Sequence, residues 1–258
     1  MIDVHCHIDL LDNPQEIVDE AKRRGMKAII VSVADPEDLG SAMSLRNANR
    51  DFVYVCAGFH PNHVNDYDED EVDEYIEQLR GSRFDIAGIG EIGLDYFWTK
   101  DEESRLKQKL LFEKFIEFAI EIELPIVVHI RDAFDDALEV LGRYKIPNVV
   151  LHCFSGSETH LKQALEKGYY ISFATNMCYT KKHPRLAALT AMKQMLLETD
   201  APWLDPDTPN LKNEEKGKTN RPWNIEKSAE IISDVKKIEK VDVLQKIEDN
   251  AKHVFRIS

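Results

Sequence analysis

Cysteines are few in this chain of 258 residues, and no pattern pairs them. The four are far apart, at Cys6, Cys56, Cys153 and Cys178, without a C-x-x-C pair. Disulfide frameworks are typical of small secreted proteins, whereas the free cysteines of larger proteins are among the residues most often buried. We therefore expect four buried free thiols and no disulfide.

Long apolar runs and basic side chains are also scarce. No run approaches the ~18–20 apolar residues that span a bilayer, and no basic segment followed by an apolar core marks a signal peptide. Both absences predict a cytoplasmic protein without membrane partners. With 33 basic and 47 acidic residues the formal net charge is −14. Stable sequence-specific binding of nucleic acid is therefore not expected, although bound metal ions can reverse the field locally at an active site that handles phosphates.

The chain does contain a regular alternation of short β-branched runs and longer amphipathic stretches. Helices are predicted at Asn13–Gly25, which has a capping asparagine and a closing glycine, and at Glu102–Glu123, where apolar residues recur at the helical period. The strand-like runs are Ile2–Val4, Lys27–Val33, Phe52–Ala57, Asp85–Ile89, Pro125–Val128, Asn148–Leu151, Tyr169–Phe173 and Met195–Leu197.

Eight such units in a chain of this length predict an α/β fold, a single (β/α)8 TIM-like barrel domain over residues 1–258. A doubly wound open sheet is the alternative, because it alternates strands and helices in the same way. A proline-rich polar segment at about residues 201–222 interrupts the alternation. We predict that this long loop is an active-site lid, since long loops in compact domains are usually functional. Its basic residues are Lys212, Lys216, Lys218 and Arg221.

Polar residues follow several of the predicted strands. His5 and His7 come after the first strand, and residues two apart on a strand share a face. The others are Glu91, His129, His152 and Asp200. In a barrel, the carboxyl ends of the strands form the active-site rim, and imidazole with carboxylate is a common ligand set for catalytic divalent ions. The six side chains together predict a metal site.

Six short stretches are shared with a known family: DVHCH from Asp3, GFHP from Gly58, GEIGLDY from Gly90, PIVVHIRDA from Pro125, HCFSG from His152 and ETDAP from Glu198. In these stretches the sequence resembles the TatD family of metal-dependent deoxyribonucleases, within the wider amidohydrolase-like barrels. One element differs. The family usually has Arg-Asn-Glu-Pro after the last strand, whereas this chain has Asn220-Arg221-Pro222 and lacks the glutamate.

The resemblance implies two divalent metal ions per chain. His5, His7 and Asp200 are expected to hold one ion, His129 and His152 the other, and Glu91 to bridge them. The residues agree, because a carboxylate has two oxygens whereas a neutral imidazole offers one lone pair. The ligand types leave the metal open among Zn, Mn, Mg, Co and Ni.

The expected activity is cleavage of DNA phosphodiesters, at single strands or ends, by a water that the metal activates. Asp200 is the predicted proton acceptor and Glu91 the second catalytic residue. The alternative is a dinuclear amidohydrolase that acts on a C–N or ester bond. A catalytically silent scaffold is a third hypothesis, and the intact ligand set disfavours it.

Four residues are predicted to contact substrate: His60, Arg131, Tyr96 and Arg221. Arg131 follows His129 by two residues on the same face, with an ion pair to Asp132 or Asp95 as the alternative. His60 follows the third strand, either as an outer partner of the ligands or as a substrate contact. The aromatic rings of Tyr96, Phe97 and Trp98 either stack on a base or pack over the barrel mouth. The other histidines, His63, His160, His183 and His253, are predicted at the surface.

The glycines from Gly88 to Gly93 fit G-x-G-x-x-G literally. A dinucleotide site needs a helix to open at this motif, whereas here the next predicted helix starts only near Asp101. We therefore do not predict a dinucleotide site.

Overall fold

The barrel is described by a computed structural model over residues 1–208 and 219–257. Its eight strands form one parallel sheet in which every strand pairs with the next along the chain. The strands are β1 (Ile2–Cys6), β2 (Ala28–Val33), β3 (Val53–Ala57), β4 (Gly88–Asp95), β5 (Ile126–Arg131), β6 (Val149–Leu151), β7 (Tyr170–Phe173) and β8 (Met195–Leu197). This order confirms the predicted (β/α)8 barrel and excludes the doubly wound alternative.

Helices surround the sheet and bury their apolar faces against it. In the described residues they are α1 (Pro14–Arg23), α2 (Leu39–Ala48), α3 (Glu69–Gly81), α4 (Glu102–Glu121), α5 (Phe134–Gly142), α6 (Glu158–Glu166), α7 (Lys182–Leu189), α8 (Ile225–Lys236) and α9 (Lys240–Phe255). Pro14 occupies the first turn of α1, as predicted. Asp68 caps α3 in a reciprocal capping box with Glu71.

The two ends of the barrel differ, because among the described residues only the N-terminal end is covered by a helix. At the N-terminal end, Val254 and Phe255 of α9 pack against inward-facing strand residues such as Ile2 and Ile30. At the opposite end, a backbone hydrogen bond links β1 to the segment after β8. The Asp200 N–H donates to the carbonyl of His5 at 3.0 Å. The carboxyl ends of the strands therefore remain the open rim of a nearly closed barrel.

Strand β4 begins and ends later than the sequence predicted. The expected run was Asp85–Ile89, but β4 covers Gly88–Asp95, so Glu91 lies inside the strand rather than after it. Gly93 allows β4 to continue beside β5 at this point. Its φ is +145°, and a Cβ there would overlap the His129 carbonyl. The glycines thus permit close approach of β4 and β5, and this accounts for the glycine pattern that resembled a dinucleotide motif.

The two described ends of the predicted lid meet beside β8. Asn220 Nδ2 donates to the Thr199 carbonyl at 2.9 Å and to the Trp203 carbonyl at 2.6 Å. Pro209, Lys212, Lys216 and Lys218 lie outside the described residues, so the lid remains a prediction.

Two further expectations concern cysteines and membranes. All four cysteines are free, as predicted. Their predicted burial is confirmed for Cys6 and Cys56, which lie in strands, and is wrong for Cys153 and Cys178, which lie after strands and are partly exposed. Over residues 1–208 and 219–257, no helix is both long enough and apolar enough to cross a bilayer. The cytoplasmic location stays a prediction.

The surface prediction for His183 is wrong. Its side chain is 7% exposed, and its Nδ1 lies 2.7 Å from the Thr180 hydroxyl. The reason is that α7 buries the face that carries His183, Leu186 and Ala187. Burial, with a smaller effect from Lys182, lowers the pKa of His183 to about 4.

This lowered pKa makes stability depend on pH. His183 is neutral in the folded protein at neutral pH. Its contribution to the free energy of unfolding is therefore complete above pH ~6.5 and is lost as the pH falls toward its folded pKa of about 4. Between pH 7 and 5 the free energy of unfolding should decrease by about 2 kcal/mol more in the parent than in His183→Gln. Urea titrations measure both slopes, with exposed His253→Gln as the control. If the free energy of unfolding depends on pH equally in the parent and in His183→Gln, the lowered pKa of His183 is wrong.

Candidate metal centre

The six predicted ligands converge at the open rim of the barrel. His5 and His7 come from the end of β1, Glu91 from β4, His129 from β5, His152 from the residue after β6, and Asp200 from the segment after β8. In the described residues, ligand atoms within 4.8 Å of one another form three overlapping groups, and one of them also includes His60. The groups are His5, His7 and Asp200; His5, Glu91 and His152; and His60, Glu91 and His129. The structure therefore brings together all six side chains that the strand-end rule selected.

Glu91 lies at the middle of this cluster. Its Oε1 is 3.3 Å from His5 Nε2 and 3.2 Å from His7 Nε2. Its Oε2 is 3.5 Å from His129 Nδ1 and 3.1 Å from His152 Nε2. The two oxygens of one buried carboxylate thus face two separate pairs of imidazole nitrogens, which is the arrangement that a bridging ligand needs.

Asp200 closes the cluster on the His5 and His7 side only. Its Oδ1 lies 3.5 Å from His7 Nε2 and 3.8 Å from His5 Nε2. The two imidazole nitrogens are themselves 3.1 Å apart. This half of the cluster therefore has one carboxylate more than the half formed by His129 and His152.

Three imidazoles are oriented by a polar partner on their other ring nitrogen. Ser32 Oγ lies 3.0 Å from His5 Nδ1. Asp95 Oδ2 lies 3.1 Å from His129 Nε2, and Glu198 Oε1 lies 3.3 Å from His152 Nδ1. Such partners hold a histidine ring so that its remaining nitrogen faces the metal position.

Asp95 and Glu198 were not predicted as partners of these histidines. A usable signal was present, because Asp95 follows Glu91 by four residues on the same strand and even spacing places both on one face. Glu198 precedes Asp200 by two residues, but the chain turns after β8, so spacing alone does not find it. Ser32 carried no signal, because an isolated serine in a buried strand has many structural uses.

Burial and neighbouring charges have opposite effects on the pKa values of the clustered side chains. Burial opposes the charged form of Glu91, but the neighbouring His5 and His152 hold its pKa well below the usual value. Burial also opposes charge on His7, yet its hydrogen bonds to Asp200 and Glu91 raise its pKa to about 10. An imidazole must be neutral to bind a metal ion, so metal binding at this cluster releases any protons that its histidines carry.

The donor set fits divalent cations. Four imidazoles and two carboxylates provide nitrogen and oxygen ligands, and these suit Zn, Mn, Co or Ni. The ligands are rigidly backed by Ser32, Asp95 and Glu198. Because the two oxygens of Glu91 face different pairs of histidines, the six ligands are sufficient for two ions.

A cavity of about 770 Å³ opens above the cluster, and His60 lines it. The His60 Nδ1 accepts a hydrogen bond from the Asn62 N–H at 3.2 Å. Burial lowers the pKa of His60 to about 3, so the ring is neutral and its proton resides on Nε2. This N–H is 3.9 Å from Glu91 Oε2. His60 therefore offers a donor to the cavity.

The other predicted substrate contacts divide into two groups. Arg131 lines the cavity, and its guanidinium lies 3.8 Å from the centre of the Phe97 ring, a cation–π contact that neither sequence hypothesis anticipated. Tyr96 and Arg221 line different depressions. The Tyr96 hydroxyl donates to Asp136 at 2.6 Å, and Arg221 Nη1 donates to the Asn220 carbonyl at 2.8 Å.

The barrel and its rim of histidines and carboxylates define the class of metal-dependent hydrolases. The chain matches the family described as TatD related DNase over residues 2–256, and it belongs to that family. This result confirms the family predicted from the six short motifs.

Individual proteins resemble the chain over all or nearly all of its length. The metal-dependent hydrolase YabD of Bacillus subtilis is 29% identical and covers 100% of both chains. The 3'-5' ssDNA/RNA exonuclease TatD of Yersinia pseudotuberculosis is 28% identical over 94% of this chain and 93% of that protein. The crystal structure of YjjV, a TatD homolog from Escherichia coli, has a TM-score of 0.89 at 24% identity and covers 100% of this chain and 98% of its own. The chain is therefore an enzyme, a metal-dependent hydrolase that acts on ester bonds.

Proposed function

We propose that this enzyme is a phosphodiesterase that cleaves DNA at single strands or strand ends with two divalent ions. The name of the Yersinia relative, an exonuclease for single-stranded DNA and RNA, supports this substrate class. The net charge of −14 also favours a local metal site over a broad basic surface for holding the phosphates.

The observation that carries the proposal is the position of Glu91. Its two oxygens face the His5 and His7 pair and the His129 and His152 pair respectively. We assign Glu91 as the bridge, His5, His7 and Asp200 as ligands of one ion, and His129 and His152 as ligands of the other. When bound, two ions lower the pKa of water and neutralise charge on phosphate oxygens.

Asp200 is the proposed proton acceptor. Burial raises its pKa, but the hydrogen bond with His7 and the charges of His5 and His152 outweigh burial and lower it. The carboxylate is therefore ionised at neutral pH, and one of its oxygens can accept the proton of an attacking water. Its side chain is 18% exposed, so water from the cavity can reach it.

Two other side chains are proposed to bind the phosphate. The His60 Nε2–H can donate to a phosphate oxygen next to Glu91, because its other nitrogen is already engaged by Asn62. Arg131 lines the same cavity and brings a fixed positive charge. Tyr96 and Arg221, which line other depressions, stay predictions as substrate contacts.

A substrate panel with controlled metal content tests this function. The protein is treated with a chelator, reconstituted with Mn²⁺, Zn²⁺ or Mg²⁺, and assayed on end-labelled single-stranded DNA, bis-aryl phosphate, amides and lactones. We expect phosphodiester cleavage that needs added metal, with elemental analysis giving two ions per chain. If the enzyme hydrolyses amides or lactones but not phosphodiesters, the amidohydrolase alternative is supported instead.

A further inference from the structure

The rim of the cavity carries an unusual number of exposed aromatic rings. Trp98 is 65% exposed, Trp203 41%, and Phe97 and Tyr179 39% each. All four line the cavity above the candidate ligands. Contiguous exposed apolar side chains often mark binding surfaces, so this rim is a candidate ligand-binding surface.

Trp98 is held in a defined position relative to the His129 half of the cluster. The buried carboxylate of Asp95 makes the connection: Oδ2 lies 3.1 Å from His129 Nε2, while Oδ1 accepts from the N–H groups of Phe97 at 2.9 Å and Trp98 at 3.0 Å. One side chain therefore orients a predicted ligand and shapes the turn that presents the aromatic rings.

Trp203 is held beside the other half of the cluster. Its N–H donates to the Asp200 carbonyl at 3.0 Å. Its ring meets the imidazole of His7 edge-on, with 5.1 Å between the ring centres. The two tryptophans are thus tied to opposite halves of the site.

The neighbouring rings are less available. Both Arg131 and Lys100 approach Phe97, at 3.8 Å and 5.3 Å from its ring centre. Phe97 therefore helps to position Arg131. The Trp98 ring also meets Phe97 edge-on, with 4.9 Å between ring centres, and Arg131 lies 5.8 Å from its centre. Trp98 nevertheless remains 65% exposed, so most of its ring is accessible to a ligand.

We propose that Trp98 and Trp203 stack on unpaired bases on the two sides of the scissile phosphate, which His60 and Arg131 contact between them. This inference rests on the proposed function and specifies its substrate as a strand with accessible base faces. Bases in a duplex are stacked on their neighbours, so only a single strand or an opened end can use both rings. Stacking tolerates any base sequence, because every base has a π-face.

The test compares two short single strands that differ only in their bases. One is a thymidine oligonucleotide, and the other has the same sugar-phosphate chain with abasic residues throughout. For the Mn²⁺-loaded parent enzyme we expect kcat/KM to be about 10- to 100-fold higher on the strand with bases. In Trp98→Ala and Trp203→Ala this preference should decrease by several-fold in each variant and nearly disappear in the double variant.

Phe84→Ala is the matched control, since Phe84 is 83% exposed and lies before β4, at the opposite end of the strands. Its base preference should equal that of the parent. Because each preference is a ratio within one preparation, partial misfolding cancels. Equal cleavage of both strands by the parent, or an unchanged preference in both tryptophan variants, would overturn the stacking inference alone. Cleavage of neither strand by the parent would contradict the proposed function itself.

Discussion

Replacement of Glu91 by glutamine is expected to lower kcat/KM by about 10³-fold or more and to reduce the metal content from two ions per chain to one or fewer. Glutamine keeps the volume of the side chain but has one ligating oxygen. It can therefore face the His5 and His7 pair or the His129 and His152 pair, but not both, and the negative charge between four imidazoles is lost. Elemental analysis after reconstitution measures the metal, and cleavage of labelled single-stranded DNA measures the rate.

The matched control for this change is Glu166→Gln. Glu166 lies on α6, pairs only loosely with Lys162 at 3.8 Å, and has 66% of its side chain exposed. It should retain the metal content and rate of the parent. If Glu91→Gln binds two ions as tightly as the parent does, Glu91 is not the bridge and the dinuclear assignment is wrong.

The candidate ligands could be predicted because barrel geometry makes distant strand ends meet. His5, His129 and His152 are far apart in sequence, yet each marks the carboxyl end of a buried strand, and all parallel strands end at one rim. The prediction needed only strand order and the chemistry of the side chains. It did not need the path of any loop.

Loop residues were harder to predict, as neighbouring aromatics show. Tyr96 and Trp98 follow the same strand, but the hydrogen bonds from the Phe97 and Trp98 N–H groups to Asp95 turn the chain. Tyr96 consequently lies beside Asp136, outside the cavity, while Trp98 faces it. No local propensity contains this information, because it depends on where one buried carboxylate is held.

Partners behind the ligands were missed for a related reason. Ser32 and Glu198 gain their roles from cross-strand distances to His5 and His152, which the sequence of either strand alone does not contain. The length of β4 was missed because the predicted apolar run ends at Ile89, whereas the strand continues through Gly90 and Gly93, where glycine permits close packing against β5.

Replacement of Asp200 by asparagine separates metal binding from proton transfer. We expect kcat to fall by about 10²- to 10⁴-fold, the usual contribution of a general base. The amide oxygen still provides a ligand beside His5 and His7, so metal content and KM should change by only a few-fold. Single-turnover rates at saturating metal measure the chemical step, and calorimetry measures the metal affinity.

Asp205→Asn is the control for Asp200→Asn, because Asp205 lines the same cavity while its carboxylate accepts the backbone N–H of Asp207. Its rate should stay close to that of the parent. The distinguishing comparison is with Glu91→Gln, which we expect to lose metal and rate together. If Asp200→Asn loses as much metal as Glu91→Gln does, its slow rate follows from an incomplete cluster, and the proton must pass to another group. If it keeps both ions and still loses rate, the acceptor is the carboxylate oxygen of Asp200.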